Sequence, residues 1–480
     1  MNDFISPEEQ GLADEILVEE APKPMRGDLT QGPIMKTLVA FSIPMLIGNL
    51  IQTINGTINA IWVGRLIGED ALAATTNANG VMFLMFALIF GFGMSSNVRV
   101  GQHYGARDVM AARKTFGSGV GFTVGIAVIA GVLGAICAPW LLRQLATPQG
   151  SYEMAITYLR VIFFSIPFGA ANMQIGMGLR SVGDAKSPMV ATVITVLLDV
   201  VLNPLLIMGW GPVPQLGIGG SALASFIAGM GGVVYLIWQA YAKDLALRLK
   251  GKEFAYLIPK WDELRYILGK GMPMGAQMLL VSSAQMVMIG LVNREGVDST
   301  AAYGASMQLW NYLQMPAFAI SSAVSAMVAQ NIGAGNHGRV SEVTSAGMKA
   351  NIAMTGVLAV LLVVASHPLL ALFLGWGSPA LPIAQHMQYV VTWSFVVMGA
   401  SMIVGGTMRS YGVVWWPLFL QFLAFYPVRL GFYFTMYPTL GADALWWSFP
   451  VATCFSVVCT WLLYTRGSWR HKRHEAYAKG

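Results

Sequence analysis

The side chain with the most unusual chemical setting is Asp199. It lies in the middle of PMVATVITVLLDVVLNPLLIMG (188–209), an apolar stretch about one bilayer thickness long when helical. Of the 23 Asp and Glu residues it is the only one placed deep in such a span; the rest fall in the N-terminal tail, in short polar connections or near span ends. A carboxylate at that depth is costly to bury, and it marks either an ion or proton site or a packing carboxyl hydrogen-bonded to a neighbouring helix. Asn203 follows four residues later on the same helical face. Pro204 has no backbone N–H, so the Val200 carbonyl loses its usual partner and a kink is predicted beside Asp199. A carboxylate, an amide and a free carbonyl this close together make an oxygen-rich seat for a proton or a hard cation such as Na⁺. Keeping a carboxyl out of water favours its neutral form, as proton exchange near neutral pH requires, whereas bound Na⁺ holds it ionised.

Two further polar sets recur at helical spacing. Gln52, Asn55 and Asn59 follow an i, i+3, i+7 pattern in the first apolar stretch, and Gln308, Asn311 and Gln314 follow i, i+3, i+6 in the eighth, near Trp310 and Tyr312. One wet face on an otherwise apolar helix is expected to wall a cavity, with interhelical hydrogen bonding as the alternative. Arg429, in the eleventh stretch, reads as a residue snorkelling to the outer membrane surface.

The elements that must carry these residues follow from composition. The 480 residues are 55% hydrophobic and only 11% charged, with a mean hydropathy of +0.59, far from the quarter charged of a soluble domain. Twelve stretches between residues 36 and 465 are each long enough to span a bilayer, the ninth covering 346–374. The expected fold is an all-α polytopic membrane protein, because the long unbroken apolar runs exclude the short alternating strands of a barrel. If the N-terminus is cytoplasmic, 24 of the 29 Lys and Arg lie inside, all but Arg65, Arg143 and Arg294 outside and Arg160 and Arg429 within spans. That asymmetry predicts both termini in the cytoplasm and a place in the inner (plasma) membrane, entered through the first span without a cleavable signal. The net charge of +6 then reflects topology and lipid headgroup contacts, not nucleic-acid binding. Cys137, Cys454 and Cys459 lack ligand spacing and read as small core residues. The six His lie in loops, near span ends or in the tail, and HExxH, GxSxG and phosphate-cradling glycine loops are lacking, so no enzyme, cofactor or resident metal is expected.

The chain also contains a duplication. Pro44 matches Pro273, GEDALAA (68–74) matches GVDSTAA (296–302), VGQHYGARD (100–108) matches VAQNIGAGN (328–336), and LRSVGDAKSP (179–188) matches MRSYGVVWWP (408–417). Across these pairs the offset stays at 228 or 229 residues. Six spans per copy make the copies parallel repeats, which implies two pseudo-symmetric six-helix lobes with a substrate path between them. The expected organisation is an acidic cytoplasmic tail (1–30), an N-terminal lobe (31–241), a cytoplasmic linker (242–263), a C-terminal lobe (264–465) and a basic cytoplasmic tail (466–480). The matched Gly105-Ala106 and Gly333-Ala334 are expected to allow tight turns, and Arg180 and Arg409 to cap helix ends or hold lipid phosphate.

These repeated signatures, with PMLIGNLIQTINGTINAIWVG (44–64) and LGIGGSALAS (216–225), resemble the bacterial branch of the multidrug and toxic compound extrusion (MATE) family over about residues 30–465. The resemblance implies cation-coupled antiport, driven by H⁺ or Na⁺, that exports amphipathic, often cationic compounds by alternating access. The family commonly has a first-span Asp in a Val-Asp-Thr pattern, a place taken here by Asn59, and a fifth-span Asn-x-x-x-Asp, which is reversed here as Asp199 and Asn203. Ser225 matches a family hydroxyl position beside the same site, while Val281 stands where some members place a seventh-span Glu. Ion coupling is therefore expected at Asp199, Asn203, Asn59 and Ser225, with Gln52, Asn55, Gln308, Asn311 and Gln314 along the substrate cavity. The expected partners are small amphipathic molecules and membrane lipids, with the chain acting as a monomer. A related reading, export of a lipid-linked or other polar precursor, calls for a strongly cationic cavity, and only Arg429, with Arg160 and Lys349 at the margins, approaches the interior.

Overall fold

A computed structural model describes residues 27–144, 149–209 and 214–467, so most of both tails lies outside the described residues. Twelve helices in it are long and apolar enough to cross a membrane. The first six are α1 (Ile34–Leu66), α2 (Glu69–Gly105), α3 (Val109–Gln144), α4 (Gln149–Ser181), α5 (Lys186–Met208) and α6 (Gly217–Ala242). The second six are α7 (Trp261–Arg294), α8 (Val297–Gly333), α9 (His337–Val364), α10 (Ala380–Ser410), α11 (Trp415–Leu440, with a π-helical segment at Ala424–Val428) and α12 (Asp443–Arg466). The ninth apolar stretch is not one helix: α9 ends at Val364, and a separate nine-residue helix, Ser366–Leu374, follows. α5 stays helical through Pro204 to Met208.

Each set of six packs largely on itself, and α2 and α8 line the seam between the sets, α2 against α7 and α8, and α8 against α1. Small residues allow this. Gly91 of α2 meets Gly275 and Gly271 of α7 so closely that a Cβ at Gly91 would stand 2.3 Å from the Gly275 nitrogen. In a bilayer, close backbone packing replaces the hydrophobic drive that operates between helices in water. The outward faces carry large apolar side chains in the open, such as Ile129, Leu133 and Ile136 on α3 and Val357, Leu361 and Val364 on α9, as a lipid-facing surface does. Cys137 and Cys454 are exposed and Cys459 half-buried; they are not the core residues expected, since an apolar span gives a cysteine equal comfort against lipid or protein.

Candidate functional site

Asp199 points inward and is 2% exposed. α5 sets it and Asn203 one turn apart on the face that packs on α1 and α6. The Asn55 and Asn59 amides, one turn apart on α1, both donate to Asp199 Oδ2, at 2.9 and 2.6 Å. Ser225 of α6 donates to Oδ1 at 3.1 Å, and Asn203 donates to Asn59 Oδ1 at 3.0 Å. Three helices thus converge on one carboxylate, which accepts from three donors. The Asn55 and Asn203 side-chain oxygens are buried without a partner. With the carboxylate they amount to an oxygen set suited to a proton or a small hard cation. Of the residues singled out by sequence, Asp199, Asn203, Asn59 and Ser225 come together here. Asn55 joins them instead of walling the substrate cavity, because i, i+4 spacing with Asn59 puts both on the α5-facing side of α1.

Between the lobes lies a cleft of about 530 Å³, lined from one side by Asn49, Gln52 and Asn97 and from the other by Met278, Asn311 and Phe318. Its size, apolar character and scattered amides suit a drug-sized amphipathic molecule. A smaller cavity of about 80 Å³ sits inside the C-terminal lobe and includes Gln314, Arg429 and, again, Asn311. Gln308 is exposed and lines neither; a strict i, i+3, i+6 run drifts around a helix and cannot keep three side chains on one cavity. Arg429 does not snorkel: it is 6% exposed, its guanidinium stacked 3.4 Å from the Phe449 ring centre. Arg160 and Lys349 are exposed.

The duplicated motifs meet where the lobes close, on the face that carries the ends of α2, α4, α8 and α10. Gln102 donates to the Ser410 carbonyl at 2.6 Å, and its repeat partner Gln330 donates to the Ser181 carbonyl at 2.8 Å. Each glutamine of one copy therefore binds the Arg-Ser-x-Gly segment of the other. Gly105 and Gly333 are the last residues of α2 and α8, and the tight turns follow directly at Ala106-Arg107 and Ala334-Gly335. The same two glycines let the helices meet, since a Cβ would stand 1.9 Å from the Gln330 oxygen and 1.8 Å from the Gln102 oxygen. Gly183 and Gly412 (φ 83° and 72°) make the matching turns after α4 and α10. There the Asp184 and Val413 amides reach back to the Leu179 and Met408 carbonyls and close each helix end. The N-terminal segment crosses the same seam, with the Leu29 amide on Gln330 Oε1 at 2.9 Å and its carbonyl accepting from Asn331. Glu263, 3% exposed at the start of α7, receives the Thr115 hydroxyl and sits 3.7 Å from Arg99 and 3.9 Å from Lys114. The sequence left this ion cluster and the glutamine exchange unread, although the doubling of Gln102 and Gln330 was visible.

Twelve spanning helices, arranged as a duplicated pair around a central cleft, define a multi-pass α-helical membrane protein. The MatE family profile matches residues 44–205 and 273–435, beginning at the paired helix prolines Pro44 and Pro273. The probable multidrug resistance protein YoeA of Bacillus subtilis (strain 168) is 30% identical over 442 residues, 92% of this chain and 95% of that protein. The multidrug export protein MepA of Staphylococcus aureus (strain MRSA252) is 24% identical over 80% of this chain and 83% of its own length. A crystal structure of a MATE protein in its bent conformation superposes with a TM-score of 0.84 at 21% identity, covering 95% of this chain and all of that one. The chain belongs to the MatE family of multidrug efflux transporters.

Proposed function

We propose that this chain is a cation-coupled antiporter, driven by H⁺ or Na⁺, that exports amphipathic, often cationic compounds from the cytoplasm by alternating access. The names of the relatives YoeA and MepA, a probable multidrug resistance protein and a multidrug export protein, support the substrate class. The observation that carries the reading is the convergence of α1, α5 and α6 on the mid-span carboxylate of Asp199. In this reading the inner membrane holds the chain as a monomer with both termini in the cytoplasm, so the closed seam faces the cytoplasm and the compound held in the cleft leaves outward.

α1 supplies the coupling. It packs on α5 through Asn55 and Asn59, and on α8 and α9 of the other lobe, where Leu38, Phe41 and Met45 join a core shared with Ile320, Val324 and Met327. Hydrogen bonds to an ionised acceptor are roughly twice as strong as neutral ones. Protonation of Asp199 weakens the grip of α5 on α1, whereas Na⁺ displaces the amide donors and draws in the Asn55 and Asn203 oxygens. Either change re-seats α1 and so alters the lobe seam. The lone acid favours the proton, and the two unpartnered amide oxygens favour Na⁺. The test is efflux of a fluorescent aromatic cation from proteoliposomes under an imposed H⁺ gradient or an imposed Na⁺ gradient. Export under one gradient and not the other identifies the ion, while export under neither refutes coupled antiport.

A further inference from the structure

The small cavity of the C-terminal lobe contains a buried charge that nothing in the lobe neutralises. Arg429 is more than nine-tenths buried, and its Nε and Nη2 atoms have no hydrogen-bond partner. The described acidic residues of this lobe are Asp262, Glu263, Glu295, Asp298, Glu342 and Asp443, all at or near helix ends. Three of them are engaged elsewhere, Glu263 with Arg99 and Lys114, Glu295 with Tyr437 and Asp443 with His386. The Phe449 ring beneath the guanidinium offers a cation–π contact. Such a contact acts on the face of the group and leaves its in-plane N–H donors unsatisfied. An unpaired buried guanidinium is costly to keep, and a structural role would be served better by a neutral side chain.

The two partnerless nitrogens are adjacent on one edge of the guanidinium, the edge that forms two parallel bonds to a carboxylate. The surrounding surface is aromatic and amide in character: Phe395, Phe425 and Phe449 with Gln285 and Gln314. At about 80 Å³ the cavity accommodates a small anionic group and not a whole drug-sized molecule. Asn311 lines both this cavity and the 530 Å³ central cleft, so the two adjoin at that residue. A ligand with its acidic group at Arg429 would extend its apolar part into the cleft toward Met278 and Phe318.

We infer that Arg429 is a carboxylate subsite, which seats the acidic end of an amphipathic aromatic molecule in the C-terminal lobe. This deepens the exporter reading and rests on it for the route, but the subsite is measurable without transport. The probes are 1-naphthaleneacetate and its neutral, equally shaped amide, 1-naphthaleneacetamide. Their binding to the purified full chain in detergent is measured by equilibrium dialysis. Charge-assisted hydrogen bonds are roughly twice as strong as neutral ones, so wild type is expected to bind the acid at least about tenfold tighter than the amide. Arg429→Gln should abolish that preference. Arg429→Lys, which keeps the charge but loses the fork, should retain a reduced preference, and it covers the case in which the glutamine variant fails to fold.

Equal binding of acid and amide by wild type would overturn the inference and assign the orphan donors to water. Retention of the full preference by Arg429→Gln, or by Arg429→Lys where only that variant folds, would overturn it equally. Gradient-driven export of an aromatic cation, run in parallel, separates the two readings. Cation export without an acid preference removes the subsite and spares the antiporter, and an acid preference without any gradient-driven export does the reverse.

Discussion

Replacing Asp199 by Asn removes the one mid-span carboxylate while nearly preserving its shape. Three donors now meet the Asp199 carboxyl, Asn55 and Asn59 on Oδ2 and Ser225 on Oδ1. In the variant the new amide oxygen can face the two Asn donors, and the new amide N–H can donate to the Ser225 hydroxyl, which turns to accept. Only one bond reverses its sense. Charge-assisted bonds are worth about 1.5–3 kcal/mol and neutral ones about 0.5–1.5 kcal/mol, so the loss is roughly 1 kcal/mol per bond, or about 3 kcal/mol in all. Against it stands the cost of burying an ion, several kcal/mol, which the neutral variant no longer incurs. The two nearly cancel, and Asp199→Asn is expected to fold within about 2 kcal/mol of wild type. Transport behaves differently, because an amide neither takes up a proton in this range nor neutralises Na⁺. Gradient-driven efflux from proteoliposomes should fall to the level of protein-free vesicles, with the variant monodisperse and still binding substrate. Efflux at the wild-type rate and with wild-type gradient dependence would refute the assignment of coupling to this carboxylate.

The seam makes its own predictions. Gly105→Ala and Gly333→Ala each drive a methyl group into a backbone carbonyl at 1.9 and 1.8 Å. Backbone cannot yield as a side chain does, so each should cost about 1–3 kcal/mol and loosen closure. A cysteine placed at Ala326, which lines the cleft, should then label faster with a water-soluble thiol reagent applied from the side of the termini; unchanged labelling would deny that these glycines hold the lobes together. Gln330→Ala should destabilise the chain by about 2 kcal/mol, because Gln330 donates to Ser181 and accepts from Leu29 and each buried bond is worth about 1 kcal/mol. A lower thermal midpoint in detergent checks this, and an unchanged one would place the N-terminal strap outside the closure.

The legible part of the site was that which depends on rarity. One acid among twelve apolar spans identifies itself, and Asn203 and Ser225 followed from spacing and motif. Asn55 and Gln308 were misplaced for a common reason. Helical spacing states which side chains share a face, but in a membrane the faces toward lipid and toward neighbouring helices are both apolar, so hydropathy does not orient the helix. The same ambiguity put the cysteines in the core and Arg429 at the membrane surface. It also hid the seam, because a glycine that ends a helix before a turn does not announce what packs against it; the Cβ-free contact of Gly105 with the Gln330 oxygen exists only once α2 and α8 cross.

The sequence by itself determined the twelve spans, the duplication and the isolation of Asp199, since each is a local or periodic property of residue type that survives without knowledge of neighbours. Only the tertiary structure decided that Asn55 belongs to the carboxylate, that Gln102 and Gln330 exchange bonds between the lobes, and that Arg429 turns inward. Those outcomes depend on which helices touch and at what angle, and that is set by close packing over the whole molecule.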